Sequence, residues 1–265
     1  MIPTTLTMES GALLGTLAVM AVAGYLHTVA GFGLGMIVMG AAGGLGVASL
    51  PVLAAVVSLL TLANSAIALP GGWRGLGKHR VIALAMGIVP SIMLGVWLLA
   101  WLSASSRALL TLLLGVLVLY GGVSVGLRPR PRLQESPPWS YAVSGVLTGL
   151  CGGLFGVPGP PAIYHCYRQP LPLETIRLLL ILCFAITSGM RTLFVATQGG
   201  LTADVWELAI WAIPVVGAAT WLGRRYPPVC SAEKMRRLAM LALIALGMFI
   251  LIKGLLSLAT PSGGE

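Results

Sequence analysis

Apolar runs of about 17–25 residues recur along nearly the whole chain, each long enough to cross the hydrocarbon core of a bilayer as a helix. Long runs lie near residues 11–30, 49–69, 79–101, 106–125, 139–157, 173–197, 204–222 and 233–256. Two shorter ones, near 33–47 and 159–170, follow glycine-rich stretches. The runs are continuously apolar rather than alternating every second residue, which selects helices over the strands of a membrane barrel. The pattern predicts an all-α, polytopic helical membrane protein. Composition agrees: 57% of residues are hydrophobic and 9% charged, where a soluble domain carries about 25% charged residues.

The pattern also repeats. Pro90 and Trp97 match Pro214 and Trp221, each pair 124 residues apart. Gly31-Phe32-Gly33-Leu34-Gly35 is echoed by Phe155-Gly156-Val157-Pro158-Gly159, and Asn64-Ser65 by Thr187-Ser188. A duplication at this period implies two repeats, each of about five helical segments, four long and one short after a Gly-rich break. The expected division is a first repeat over 1–126, a cytoplasmic Arg/Pro linker over 127–138, a second repeat over 139–258 and a flexible tail over 259–265.

Charge sets the expected topology. Arg74, Lys78 and Arg80 stand near 70–80 without an acid; Arg128, Arg130 and Arg132 face only Glu135; and Arg224, Arg225, Lys234, Arg236 and Arg237 face only Glu233. Short loops rich in Lys and Arg stay inside. The base-free loop at 198–204, leading to Asp204 and Glu207, and the loop near 102–107, with Arg107 alone, are expected outside. An odd number of crossings must therefore separate 138 from 198. Either 159–170 crosses as a third span between 139–157 and 173–197, or it folds back with 139–157 as a re-entrant hairpin; parity admits both. The same count in the first half puts the N-terminus outside and inverts one repeat relative to the other, a common plan of secondary transporters. No base precedes the first apolar run, which is too long for a signal-peptide core and reads as a retained helix. The net charge of +9 flanks spans, so the partner it implies is the bilayer, with no nucleic acid.

Chemistry is scarce in the predicted interior. Glu9, Glu135, Glu174, Asp204, Glu207, Glu233 and Glu265 all lie at boundaries or tails. That leaves no intramembrane carboxylate pair for acid–base catalysis and no acidic cation pathway. No HExxH motif or Walker loop is present, so no enzyme activity, metal or cofactor is expected. Cys151, Cys166, Cys183 and Cys230 lack metal-finger spacing and read as packing residues. The interior holds glycine, proline, small hydroxyls, one amide, His27 and Arg191. That inventory suits an anion better than a cation.

The stretch Gly156-Val157-Pro158-Gly159-Pro160-Pro161 predicts a helix that breaks and a short helix that starts, because proline fits a first turn. A helix N-terminus aimed at such a break is a ready oxyanion site, while the plainer role of such glycines is close helix packing. The candidate substrate-binding residues are Gly31, Gly33, Gly35, Asn64, Ser65, Gly156, Gly159, Pro160, Thr187, Ser188 and Arg191. Thr187 and Arg191 share a helix face, so the guanidinium either meets an anion or snorkels to the external interface. His27, one turn before Gly31, is a packing residue or a proton relay. Tyr164 and His165 stand on the short second-half helix with the same two readings.

Taken together, the glycine-rich motif opening each half, the polar pair on the next long helix and the Pro-then-Trp helix resemble the sulfite exporter TauE/SafE family of membrane transporters, over about residues 11–256. Met36 and Pro158 interrupt the glycine run that family often shows. The resemblance implies a permease of a bacterial-type inner membrane that moves a small anionic substrate, sulfite or an organosulfonate, in the export direction. A passive anion channel and a membrane enzyme or assembly factor are the alternative readings. With no ATP-binding motif, energy would come from an ion gradient, the proton being the candidate coupling ion, or from an ATPase partner. Oligomeric state is not set by the sequence.

Overall fold

The computed structural model describes residues 10–30, 33–69, 76–126, 131–226 and 232–259. They form ten α-helices: α1 (Ser10–Ala30), α2 (Leu34–Val38), α3 (Leu50–Ala68), α4 (Lys78–Ser105), α5 (Arg107–Gly126), α6 (Pro138–Phe155), α7 (Gly159–Tyr167), α8 (Leu173–Thr197), α9 (Ala203–Arg225) and α10 (Ala232–Ala259). A π-helical turn, Met39–Gly43, prolongs α2. No strand occurs among the described residues. Six of these helices (α3, α4, α5, α8, α9 and α10) are long and apolar enough to cross a membrane. Their outer faces carry bare Trp97, Trp101, Trp211 and Trp221, each more than half exposed, as a lipid-facing surface requires.

Each half contains one broken helix pair. Gly156 takes φ +66°, ending α6, and Pro160 and Pro161 occupy the first turn of α7. Gly33 takes φ +111° between α1 and α2. The α7 helix is nine residues long, about 13 Å at 1.5 Å per residue, less than half of a hydrocarbon core about 30 Å thick. Its end returns to the start of α6: the Arg132 amide donates to Arg168 O (2.8 Å) and the Ser136 amide to Gln169 Oε1 (2.9 Å). The Tyr141 and His165 rings meet edge-on at 4.6 Å. The segment from 138 to 169 is therefore a hairpin with its ends together, the shape of the second of the two arrangements that parity allowed.

The halves pack through each other. The α4 helix lies along α6 and α9 along α1; α3 packs on both α8 and α9, and α8 on α4; α5 pairs with α10. Exchanging the first five helices for the second five reproduces these pairs. The α4–α6 contact is backbone against backbone. Gly145, Gly149 and Gly153 recur every fourth residue on α6, facing Gly87, Ser91 and Gly95 on α4. A Cβ on Gly153 would stand 2.5 Å from Ile92 O, and one on Gly95 2.7 Å from Leu150 O. Small residues at this spacing let helices approach without a side-chain layer between them. The α5–α10 pair runs antiparallel, with Gly115 against Leu251 and Gly122 against Ile244. So does α3–α8, with Ser58 at Arg191 and Leu62 at Gly189.

Candidate functional site

The two helix breaks meet. A Cβ on Gly35 would stand 2.9 Å from Gly156 O, and one on Gly156 2.8 Å from Ala54 O. Between the breaks lies a cavity of about 20 Å³, lined by His27, Gly33, Gly35, Met36 and Thr61 from the first half and by Gly156, Val157, Pro158, Gly159 and Phe184 from the second. That volume admits about one water molecule. An anion with four or more heavy atoms needs the walls to move.

His27 is 3% exposed. Its Nδ1 accepts the Leu34 amide (3.4 Å), while Nε2 is buried without a partner. The bond to Nδ1 places the proton of the neutral ring on Nε2, an unused donor in the cavity wall. The His27 and Phe184 rings lie 5.8 Å apart.

Arg191 is 1% exposed, so it does not snorkel. Its Nε donates to Gly153 O (3.1 Å) and its Nη1 to Ser58 Oγ (3.3 Å). Both acceptors are neutral, and no acid among the described residues pairs with it. Thr187, one turn earlier, bonds back to Cys183 O (2.8 Å) and presses its methyl on Gly152. Its hydroxyl proton is thereby spent on its own helix.

Asn64 is fully buried and donates through Nδ2 to Thr28 Oγ1 (3.1 Å) and Thr220 Oγ1 (2.6 Å), tying α3 to α1 and α9. Its Oδ1, Ser65 Oγ and Ser188 Oγ are buried without partners. Buried polar groups are normally paired, so three orphans on two facing helices mark a polar interior able to take further hydrogen bonds. Ser58, Thr61 and Ser65 recur at helical spacing along α3, and the first two bond back to Ala54 O and Val57 O.

Of the sequence-predicted residues, Gly33, Gly35, Gly156, Gly159 and His27 gather around one cavity. Arg191, Thr187, Ser188, Asn64 and Ser65 stand on the two helices that wall it, but not in its lining. Pro160 packs beneath Gly121, and Gly31 lies outside the described residues. Thr61, Phe184, Ser58, Thr28 and Thr220 were not anticipated. The α3 stripe of hydroxyls at positions 58, 61 and 65 was a readable signal; Thr28 and Thr220 become partners of Asn64 only through packing. Cys166 and Cys183 are buried and free, and Cys151 is free and half-buried. No cluster of three or more His, Cys, Asp or Glu forms among the described residues.

Comparison with known proteins gives this geometry a lineage. The family model described as sulfite exporter TauE/SafE matches residues 16–250. A protein of Cupriavidus necator named "Probable sulfite/organosulfonate exporter TauE" is 51% identical over 240 residues, covering 91% of this chain and 94% of its own length. No solved structure matches. With its broken helices, apolar spans and near full-length match to an exporter family, the chain belongs to the sulfite exporter TauE/SafE family of membrane transport proteins.

Proposed function

We propose that this protein is a secondary exporter of small sulfur oxyanions, sulfite or organosulfonates, built from two inverted repeats in a bacterial inner membrane. One observation carries the reading: a buried arginine with only neutral partners stands beside the point where both broken helices meet. A cation without a counter-ion is costly in a membrane interior, and an anionic substrate supplies the missing charge. The Gly159 amide, the one N–H among Pro158, Gly159, Pro160 and Pro161, and the free His27 Nε2 add donors around the same cavity. Inverted repeats accord with the exchange of helix contacts between halves and with the antiparallel α3–α8 and α5–α10 pairs. The N-terminus then lies outside, and the basic loops around 126–138 and 223–237 inside.

His27 is the candidate coupling group. To take up a proton the ring must release the Leu34 amide from Nδ1, after which the Nε2–H can pass a proton to the cavity. A passive channel is the weaker reading, because the cavity admits about one water and the route through it is closed. The test is uptake and efflux of radiolabelled sulfite, sulfoacetate and taurine in liposomes under an imposed pH gradient. Saturable flux of sulfite or a sulfonate, driven by the gradient, is expected. Flux that is linear in substrate and indifferent to the gradient means a channel; no flux of any sulfur anion refutes the proposal.

A further inference from the structure

A second cavity, of about 450 Å³, opens where the end of α3 meets the start of α8, and Arg177 stands exposed in its wall beside Glu174 and Ile181. The guanidinium is not paired with Glu174; its Nη2 reaches across to donate to Thr28 O on α1 (2.8 Å). Thr28 lies two residues before the end of α1, and Gly153, which Arg191 holds, lies two residues before the end of α6. The last four carbonyls of a helix have no partner within it, so each arginine closes one such end. Both arginines belong to α8, and Phe184 of the central cavity stands seven residues from each. Seven residues is close to two turns, so all three share one face of α8, with an arginine about 10 Å along the helix from Phe184 in either direction.

We propose that the Arg177 cavity is the entry site for the anion on the side of the basic loops, and that an oxyanion taken up there frees the end of α1. This rests on the exporter reading above. A charged oxyanion adds an ion pair and can accept two parallel guanidinium N–H bonds where a peptide carbonyl accepts one, so it displaces Thr28 O from the guanidinium. His27, the preceding residue of α1, lines the central cavity; one step of α1 backbone therefore separates the entry site from the central one. Arg191 closes the corresponding end of α6 on the far side. Glu174 sits on the entry cavity with the wrong sign for an anion and limits its occupancy.

The experiment places a reporter, Thr61→Cys, in the central cavity wall and measures its modification by a membrane-impermeant thiol reagent in inside-out vesicles, read by peptide mass spectrometry so that native cysteines do not interfere. With Arg177 intact, modification is slow and rises several-fold on addition of sulfite or sulfoacetate. With Arg177→Met it is fast without either anion and gains nothing from them. Arg177→Lys keeps the charge and retains part of the anion response, which covers the case in which the Met variant does not fold. Glu174→Gln lowers the anion concentration giving half the effect, most clearly at low ionic strength. Modification indifferent to both anions with Arg177 intact, or still slow in Arg177→Met, overturns the proposal. Failure of the exporter reading looks different: no flux of sulfur anions in liposomes, whatever the labelling pattern.

Discussion

Replacing Arg191 separates the substrate role of its charge from its role in packing. A unit charge about 4 Å from an anion, at an effective dielectric constant of about 20, is worth about 4 kcal/mol, close to a thousandfold in Kd. The fold, by contrast, loses little in Arg191→Met. Ser58 Oγ keeps its bond to Ala54 O (2.9 Å). Gly153 O loses its donor, at about 1–3 kcal/mol, but a buried cation without a counter-ion disappears at the same time. Arg191→Lys keeps the charge and gives up the planar fork; losing one charge-assisted hydrogen bond, about 1.5 kcal/mol, means roughly tenfold weaker binding. Calorimetric titration with sulfite and sulfoacetate, beside thermal unfolding in detergent, should order affinity as arginine, lysine, methionine while the midpoints stay close. Equal affinities across the three proteins, or an affinity loss that merely follows the melting temperature, would refute the reasoning.

Four further outcomes are expected. Gly156→Ala forces a left-handed φ of +66° and a Cβ 2.8 Å from Ala54 O; a cost of about 1–3 kcal/mol should lower both thermal stability and transport, and wild-type values for both would show that the break relaxes freely. Gly149→Leu drives a branched side chain into Ile88 and Ser91 and should prevent α4 from docking on α6, read as loss of monodisperse protein from the membrane fraction. Arg80 holds the Glu135 carboxyl down at about 2 from its ordinary 4.5, with Nε at 2.5 Å from Oε1. Stability from this pair is complete above about pH 4.5 and fades as pH falls toward 2, so Glu135→Gln should melt below wild type at neutral pH and converge with it in acid. Reporter fusions at Lys78 and Thr202 should report opposite sides of the membrane, with Lys78 cytoplasmic; a shared side would end the inverted-repeat reading.

The sequence made the spans legible because length and apolarity are local properties; the boundaries of α3, α8 and α10 fall within a few residues of the expected runs. The breaks were legible for the same reason, since glycine and proline punctuate locally. The return of α7 to the start of α6 was not legible: it depends on the hydrogen bonds of Arg168 and Gln169 to the linker, which no apolar count contains. The site was half legible. Gly35 and Gly156 could be proposed as neighbours from the repeat, but the partners of Asn64 on α1 and α9 lie 36 and 156 residues away. Snorkelling of Arg191 was a fair expectation from its place near the end of α8. It fails because the guanidinium turns inward, to Gly153 O on α6 and Ser58 Oγ on α3.

The basic residues within this fold share a task that charge counting hides. Arg191 caps Gly153 O on α6, Arg177 caps Thr28 O on α1, and Lys253 caps Gly44 O just beyond the π-turn that prolongs α2 (2.7 Å). Breaking a helix inside a membrane strands carbonyls that no water reaches, at several kcal/mol each, and a cation is the donor that also suits the negative end of a helix. These three cations are thus held by dipoles rather than by carboxylates. Such bonds are weaker than those to a charged oxyanion. An arriving anion can therefore exchange places with a carbonyl, whereas it could not easily displace a buried glutamate. Introducing a carboxylate beside Arg191, as in Ser58→Asp, tests the point. The protein should fold with equal or greater stability and lose transport, because the fixed acid occupies the place that the substrate must take. Transport at the wild-type rate in a well-folded Ser58→Asp protein would show that Arg191 and the anion do not meet.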